Sequence, residues 1–228
     1  MHRSLLVLFD IDGTLVRKAG PHHGQALVDA VRLVTGRRTT MEGIPVFGML
    51  DGDILTLMMQ AAGLSRRAIA AHMPAIHAAA EQLYVRHCPD LTARVIPGVR
   101  PLLRRLARRS APCGLVTGNL SRIGWHKVAR ARLRHHFRFG AFADMGPTRT
   151  ELARLALAEA RRNGWLRPGT RTVLIGDTAN DIEAARANGI LSVAVATGHY
   201  GVDELSAHRP DVLVESLRDL DLDQIQRI

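Results

Sequence analysis

Short apolar runs recur along this chain at Leu5–Phe9, Gly114–Thr117, Phe139–Ala143, Thr172–Ile175, Leu191–Ala196 and Val212–Val214. Their length and composition suit strands buried on both faces. From Pro97 onward they alternate with helical patterns at Leu120–Leu133, Thr150–Asn163 and the shorter Ile182–Asn188. Such alternation predicts an α/β fold with a parallel, doubly wound sheet. Ligands of these sheets bind at the carboxyl ends of the strands.

Residues 16–95 follow another pattern. Gly24–Val34, Asp53–Ala62 and Arg66–His87 read as helices, and no clear strand intervenes. Gly20-Pro21, Gly36, Gly43-Ile44-Pro45 and Gly63 mark the breaks. Ile96-Pro97-Gly98-Val99 marks the return, and a helix over Arg100–Arg109 follows. The expected organisation is an α/β core of residues 1–15 and 96–228, interrupted by an all-helical insert at 16–95. There is no internal repeat and no low-complexity tract.

Composition narrows the class. A chain of 228 residues with 46% hydrophobic content buries a sizeable core. No apolar run approaches the ~20 residues that span a bilayer. The first apolar segment is too short for a signal peptide and carries Asp10 and Asp12, so a cytoplasmic protein is expected. Cys88 and Cys113 are far apart and in no CxxC pairing, which argues against zinc and disulfides.

The net charge is +10, and Lys18 and Lys127 are the only lysines. The densest basic cluster is Arg100, Arg104, Arg105, Arg108 and Arg109. Leu102, Leu103 and Leu106 share one helical face there, and the arginines take the other. That is a solvated helix face rather than a nucleic-acid surface, and the aromatic interleaving of single-strand binders is absent. The excess charge still favours encounter with small anions.

The first apolar run ends in Asp10-Ile11-Asp12-Gly13-Thr14-Leu15. Two carboxylates at the end of a buried strand are costly unless something compensates them, and a divalent cation or a developing positive centre would. This string resembles the first motif, DxDGT[LV], of the haloacid dehalogenase superfamily, which consists mostly of phosphatases. The helical insert after it resembles that superfamily's cap on a Rossmann-like core. The phosphoglycolate-phosphatase-like branch fits best, over essentially the whole chain.

The resemblance implies roles. Asp10 would be the nucleophile that forms an aspartyl phosphate. Asp12 would protonate the leaving alkoxide and then activate water. Repulsion between such close carboxylates raises one pKa, which would let Asp12 carry a proton near neutral pH. Asp12 also argues against dehalogenase chemistry. Thr14 is expected to brace the turn and support Asp10.

Gly114-Leu115-Val116-Thr117-Gly118-Asn119 resembles the second motif. Thr117, Gly118 and Asn119 would hold the phosphoryl oxygens in an anion nest near a helix N-terminus. Val173–Asp181 matches the pattern GDxxxD. Its implied ligand set for Mg²⁺ is Asp10, the Asp12 backbone carbonyl and Asp177. Asp181 would act through water or orient that shell; its alternative is a plain helix N-terminal acid.

The third motif departs from the superfamily, which places a lysine before the next helix. Here Asp144–Leu152 contains none, and Arg149 is the substitute. Its planar fork suits phosphate oxygens. The alternative is a surface arginine in a first helical turn. Gly48-Met49-Leu50-Asp51 lies where related phosphatases show Gly-Arg/Lys-Thr-Asp, so glycolate is not carried over as the leaving group. Asp51 reads as a helix N-terminal residue. Arg17, Lys18, His22 and His23 near the first hinge could face the leaving group, and Val195-Ala196-Thr197-Gly198 could complete the cleft. Met58 and Met59 read as packing.

The expected function is a Mg²⁺-dependent phosphatase acting on a small phosphorylated metabolite. The alternatives are a phosphomutase of the β-phosphoglucomutase type and a catalytically silent phosphate- or partner-binding module. Substrate and oligomeric state stay open.

Overall fold

The computed structural model describes residues 4–17 and 21–228. Lys18 lies outside the described residues. Six strands form one sheet: β1 (Leu5–Phe9), β2 (Cys113–Val116), β3 (Phe139–Ala141), β4 (Arg171–Gly176), β5 (Leu191–Val195) and β6 (Val212–Val214). All pairings are parallel, in the order β3-β2-β1-β4-β5-β6. The strand order reverses between β1 and β4, where doubly wound sheets bind ligands.

Every residue of β1 and β2 is buried, as apolar strands covered on both faces must be. Alternate side chains feed two cores. Val7, Phe9, Leu115 and Ile175 belong to one, Leu6, Leu8, Val116 and Leu174 to the other. Phe9 pairs with both Leu115 and Ile175. That register brings Asp10, Thr117 and Asp177 out along one edge of the sheet.

Between β1 and α4 (Val99–Arg108) lie α1 (His22–Thr35), α2 (Asp51–Ala61) and α3 (Arg66–His87), with no strand among the described residues. Helices α1 and α3 pack on each other. The chain leaves and re-enters the sheet region by two short segments paired with each other. Val16 bridges antiparallel to Val95, and the Arg17 N–H donates to the Arg94 carbonyl at 2.8 Å. Met58 and Met59 are fully buried, so the packing reading holds.

Helices α5 (Ser121–Arg130), α6 (Arg149–Arg162) and α7 (Ala179–Ala187) flank the sheet. Two six-residue helices, α8 (Val202–Ala207) and α9 (Leu222–Arg227), gave no periodic signal because each has under two turns. The arginine face of α4 is not purely solvated. Arg100 and Arg105 donate to the carbonyls of Ala131 and Leu220, and Arg109 pairs with Asp223 at 2.8 Å. Both cysteines are free and buried. No described helix is long and apolar enough to cross a membrane.

Candidate active site

Asp10 follows β1 and is 3% exposed. Gly13 then turns the chain at φ +83°, and a Cβ there would lie 2.1 Å from the Asp177 Oδ2. Only glycine lets this turn close over Asp177. The Thr14 hydroxyl donates to Asp177 Oδ1 at 3.0 Å. Thr14 therefore supports Asp177 and not Asp10 as expected.

Asp181 sits in the first turn of α7, where its Oδ2 accepts from the Thr178 hydroxyl at 2.7 Å. The helix-terminal reading is thus fulfilled, yet the residue also joins the acids. Carboxylate oxygens of Asp10, Asp177 and Asp181 lie within 4.8 Å of one another, and all three residues are buried. The Asp181 Oδ1 is buried with no hydrogen-bond partner. Burial, with Asp181 and Asp12 nearby, pushes the Asp10 carboxyl up to about 7 against the pull of Arg149. Burial, with Asp10 and Asp181 nearby, holds Asp177 well above the usual carboxylate range. A crowded, all-oxygen donor set short of positive charge fits a hard divalent cation.

Arg149 opens α6, and the Thr148 side chain caps that helix by accepting from the Glu151 N–H at 3.1 Å. Its Nη1 donates to Asp10 Oδ1 at 3.0 Å and to the Val116 carbonyl at 3.1 Å. Its Nε lies 3.5 Å from the Asp181 Oδ1. That separation gives charge attraction without a well-formed hydrogen bond. At 6% exposure Arg149 is no surface arginine.

Lys127 is a site residue that the sequence reading missed. It is fully buried in α5. Its Nζ lies 2.6 Å from Asp12 Oδ2, 2.5 Å from Asn119 Oδ1 and 3.2 Å from His23 Nδ1. A signal existed: Ile123, Gly124, Lys127 and Val128 form the buried stripe of α5, so the lysine falls on the inward face. The Asn119 amide donates to Asp12 Oδ2 at 2.8 Å and to Thr117 Oγ1 at 2.7 Å.

The helical segment closes on these turns through Asp51. Its Oδ2 accepts from the Leu120 N–H at 2.8 Å and lies 3.1 Å from His23 Nε2. Asp51 therefore caps the entry to α5 rather than its own helix, α2, which has no side-chain cap. A Cβ on Gly118 would lie 2.2 Å from the Met49 carbonyl, so the two segments approach at van der Waals contact. Between them lies a cleft of about 340 Å³ lined by Asp10, Asp12, Thr117, Asn119, Arg149 and Asp177, among others.

Of the hinge residues, His23 lines this cleft; Arg17 is exposed, and His22 lines a different depression. Thr197 and Gly198 do not line it. The Thr197 hydroxyl donates to the Gly13 carbonyl at 2.6 Å, and a Cβ on Gly198 would meet Asp177 at 1.7 Å. They brace the turn and the acid instead of completing the cleft.

The family model described as haloacid dehalogenase-like hydrolase matches residues 7–186. This chain belongs to that family. The phosphoglycolate phosphatase of Pseudomonas savastanoi pv. phaseolicola is 26% identical over 225 residues, covering 94% of this chain and 78% of the relative. That of Chromobacterium violaceum is 32% identical over 139 residues, 61% of this chain and 60% of the relative. The hydrolase thus sits with the phosphoglycolate-phosphatase-like branch. CbbY from Rhodobacter sphaeroides in complex with phosphate shares its fold with TM-score 0.74 at 20% identity, over 100% of both chains. The β-phosphoglucomutase of Clostridium difficile does so with TM-score 0.71 at 17% identity, over 98% of this chain and 96% of that one.

In this haloacid dehalogenase-like hydrolase the two motif aspartates diverge in a direction opposite to expectation. The raised pKa falls on Asp10. Burial would raise Asp12 too, but Lys127, His23 and hydrogen bonds from Lys127 and Asn119 outweigh it and hold Asp12 below its ordinary value. Neighbours remote in sequence decide which carboxylate keeps a proton. Lys127→Met keeps the buried stem and removes the charge, so the Asp12 carboxyl is expected to titrate at higher pH. A ¹³C carboxyl NMR titration checks this; an unmoved Asp12 resonance would sink it.

Proposed function

We propose that this hydrolase releases phosphate from a small phosphate monoester through an aspartyl phosphate on Asp10. The observation that carries the reading is the placement of the Asp10 carboxylate. It faces the cleft, bonded by Arg149 at 3.0 Å, at the strand ends that also present Thr117 and Asp177.

In this mechanism Asp10 gives up its proton to Asp12 as the phosphate dianion binds and attacks phosphorus as the carboxylate, and its new bond replaces the bond to the leaving oxygen. Arg149 keeps the attacking carboxylate aimed and offsets charge on the phosphoryl oxygens. The Thr117 hydroxyl and the backbone of Gly118 and Asn119 hold those oxygens. The arriving dianion raises the pKa of Asp12, which takes up a proton and gives it to the leaving alkoxide. Asp12 then takes a proton from the water that attacks the phosphoenzyme. Residues 16–95 serve as the cap that excludes bulk water. Asp10, Asp177, Asp181 and the Asp12 backbone carbonyl would hold Mg²⁺, which when bound supplies positive charge to the phosphoryl group.

An aryl phosphate is expected to release inorganic phosphate with Mg²⁺ and not after chelation, without any bisphosphate activator. The same cation is expected to stabilise the fold in a pH-dependent way. The folded, metal-free protein keeps a proton on Asp10 between its ordinary value of 3.8 and about 7, where the unfolded chain has lost it. Stability from this group therefore falls as pH rises through that window. Mg²⁺ competes with that proton, so its gain in melting temperature is larger above pH 7 than near pH 5. Equal gains at both would count against Asp10 as a ligand.

A further inference from the structure

We infer that the alcohol released by this enzyme is uncharged and largely apolar. The inference rests on the phosphatase reading above and deepens it. The helical segment contributes Leu27, Met41, Val46, Phe47, Met49 and Ile54 to the cleft. These side chains offer a leaving group apolar contact and no strong hydrogen bond.

Among the described residues, the basic side chains lining the cleft are Lys127, His23 and Arg149, and the structure commits each to another partner. The three ammonium hydrogens of Lys127 meet three acceptors: Asp12, Asn119 and His23. Both ring nitrogens of His23 are engaged, Nδ1 by Lys127 and Nε2 by Asp51. Arg149 is turned to Asp10 and the Val116 carbonyl. A carboxylate or second phosphate on the leaving group would lie among Asp12, Asp51 and apolar walls. Burying an unpaired anion there is costly. A polyol would leave its hydroxyls unpaired against methionine and aliphatic carbon, also at a cost. A short alkyl or benzyl group gains from the same walls.

Two measurements test this. The first is calorimetric binding of benzylphosphonate and of phosphonoacetate to the Mg²⁺-loaded wild-type protein. The benzyl compound is expected to bind at least about tenfold more tightly, the discrimination an apolar pocket achieves. Equal affinity, the reverse order or binding of neither overturns the inference. The second is kcat/KM for benzyl phosphate against phosphoglycolate and glucose 6-phosphate, with the same expected order. Met49→Arg places a cation in the apolar wall and is expected to narrow the benzyl-to-glycolate ratio; an unchanged ratio in the folded variant counts against the assignment. If phosphoglycolate is hydrolysed as well as benzyl phosphate, the phosphatase reading stands and the apolar leaving group falls. If benzylphosphonate is preferred but no ester is hydrolysed, the cleft assignment stands and the phosphatase reading falls.

Discussion

Asp10→Asn is expected to lower aryl phosphate turnover by about four orders of magnitude or more, the scale on which loss of a covalent nucleophile shows. An amide of the same shape has no anionic oxygen to attack phosphorus. The fold should survive. The asparagine Oδ1 can still accept from Arg149 Nη1, which bonds Asp10 Oδ1 at 3.0 Å in the parent. The substitution also removes a buried carboxylate that sits against Asp181 and Asp12 and is pushed up to about 7. The metal-free variant is therefore expected to melt no lower than the parent near neutral pH. Phosphate release and a thermal melt on the same sample check both halves. Activity within about tenfold of the parent would rule out the aspartyl-phosphate route.

Arg149→Ala is expected to damage stability and activity together. The arginine and Asp10 are 6% and 5% exposed at the side chain, so the pair is desolvated. Asp10→Asn leaves the guanidinium facing Asp181, but removing the guanidinium leaves the buried acids Asp10, Asp177 and Asp181 uncompensated, at about 3–5 kcal/mol. For a domain of this size each kcal/mol shifts the melting temperature by roughly 2–4 °C. The three acids would then face one another without their guanidinium, so Mg²⁺ should restore much of the lost melting temperature. Activity is expected to fall about 10²–10³-fold, as for loss of one charge-stabilising donor. Arg149→Lys keeps the charge but not the fork, so it should recover part of each. An alanine variant with unchanged melting and turnover would falsify the assignment and return Arg149 to an ordinary helix-start residue.

Helix starts show how far local signals reach. The periodic pattern begins α2 at Asp53, α6 at Thr150 and α7 at Ile182, whereas the helices start at Asp51, Arg149 and Ala179. Polar first turns carry no hydrophobic period, so their residues are read as loop. At α6 the difference matters, because the residue gained is Arg149 itself. The site shows the same division. Asp10 and Asp177 were legible because each directly follows an apolar strand. For Lys127 the inward helix face was legible but its partner was not, since 115 residues separate it from the Asp12 it touches.

From its own residues the chain determines the six strands, the longer helices between them and the acids at the strand ends. Those features depend on neighbours within a few positions, where apolar runs and helical period speak directly. Tertiary structure alone decided which charges meet. It turned Thr14 to Asp177, Asp51 to the Leu120 N–H and Lys127 to Asp12, and it set burial to push the Asp10 carboxyl up while Lys127 holds Asp12 down. Burial and Coulomb forces act through space, and distance along the chain says nothing about that separation until sheet register and helix packing have set it.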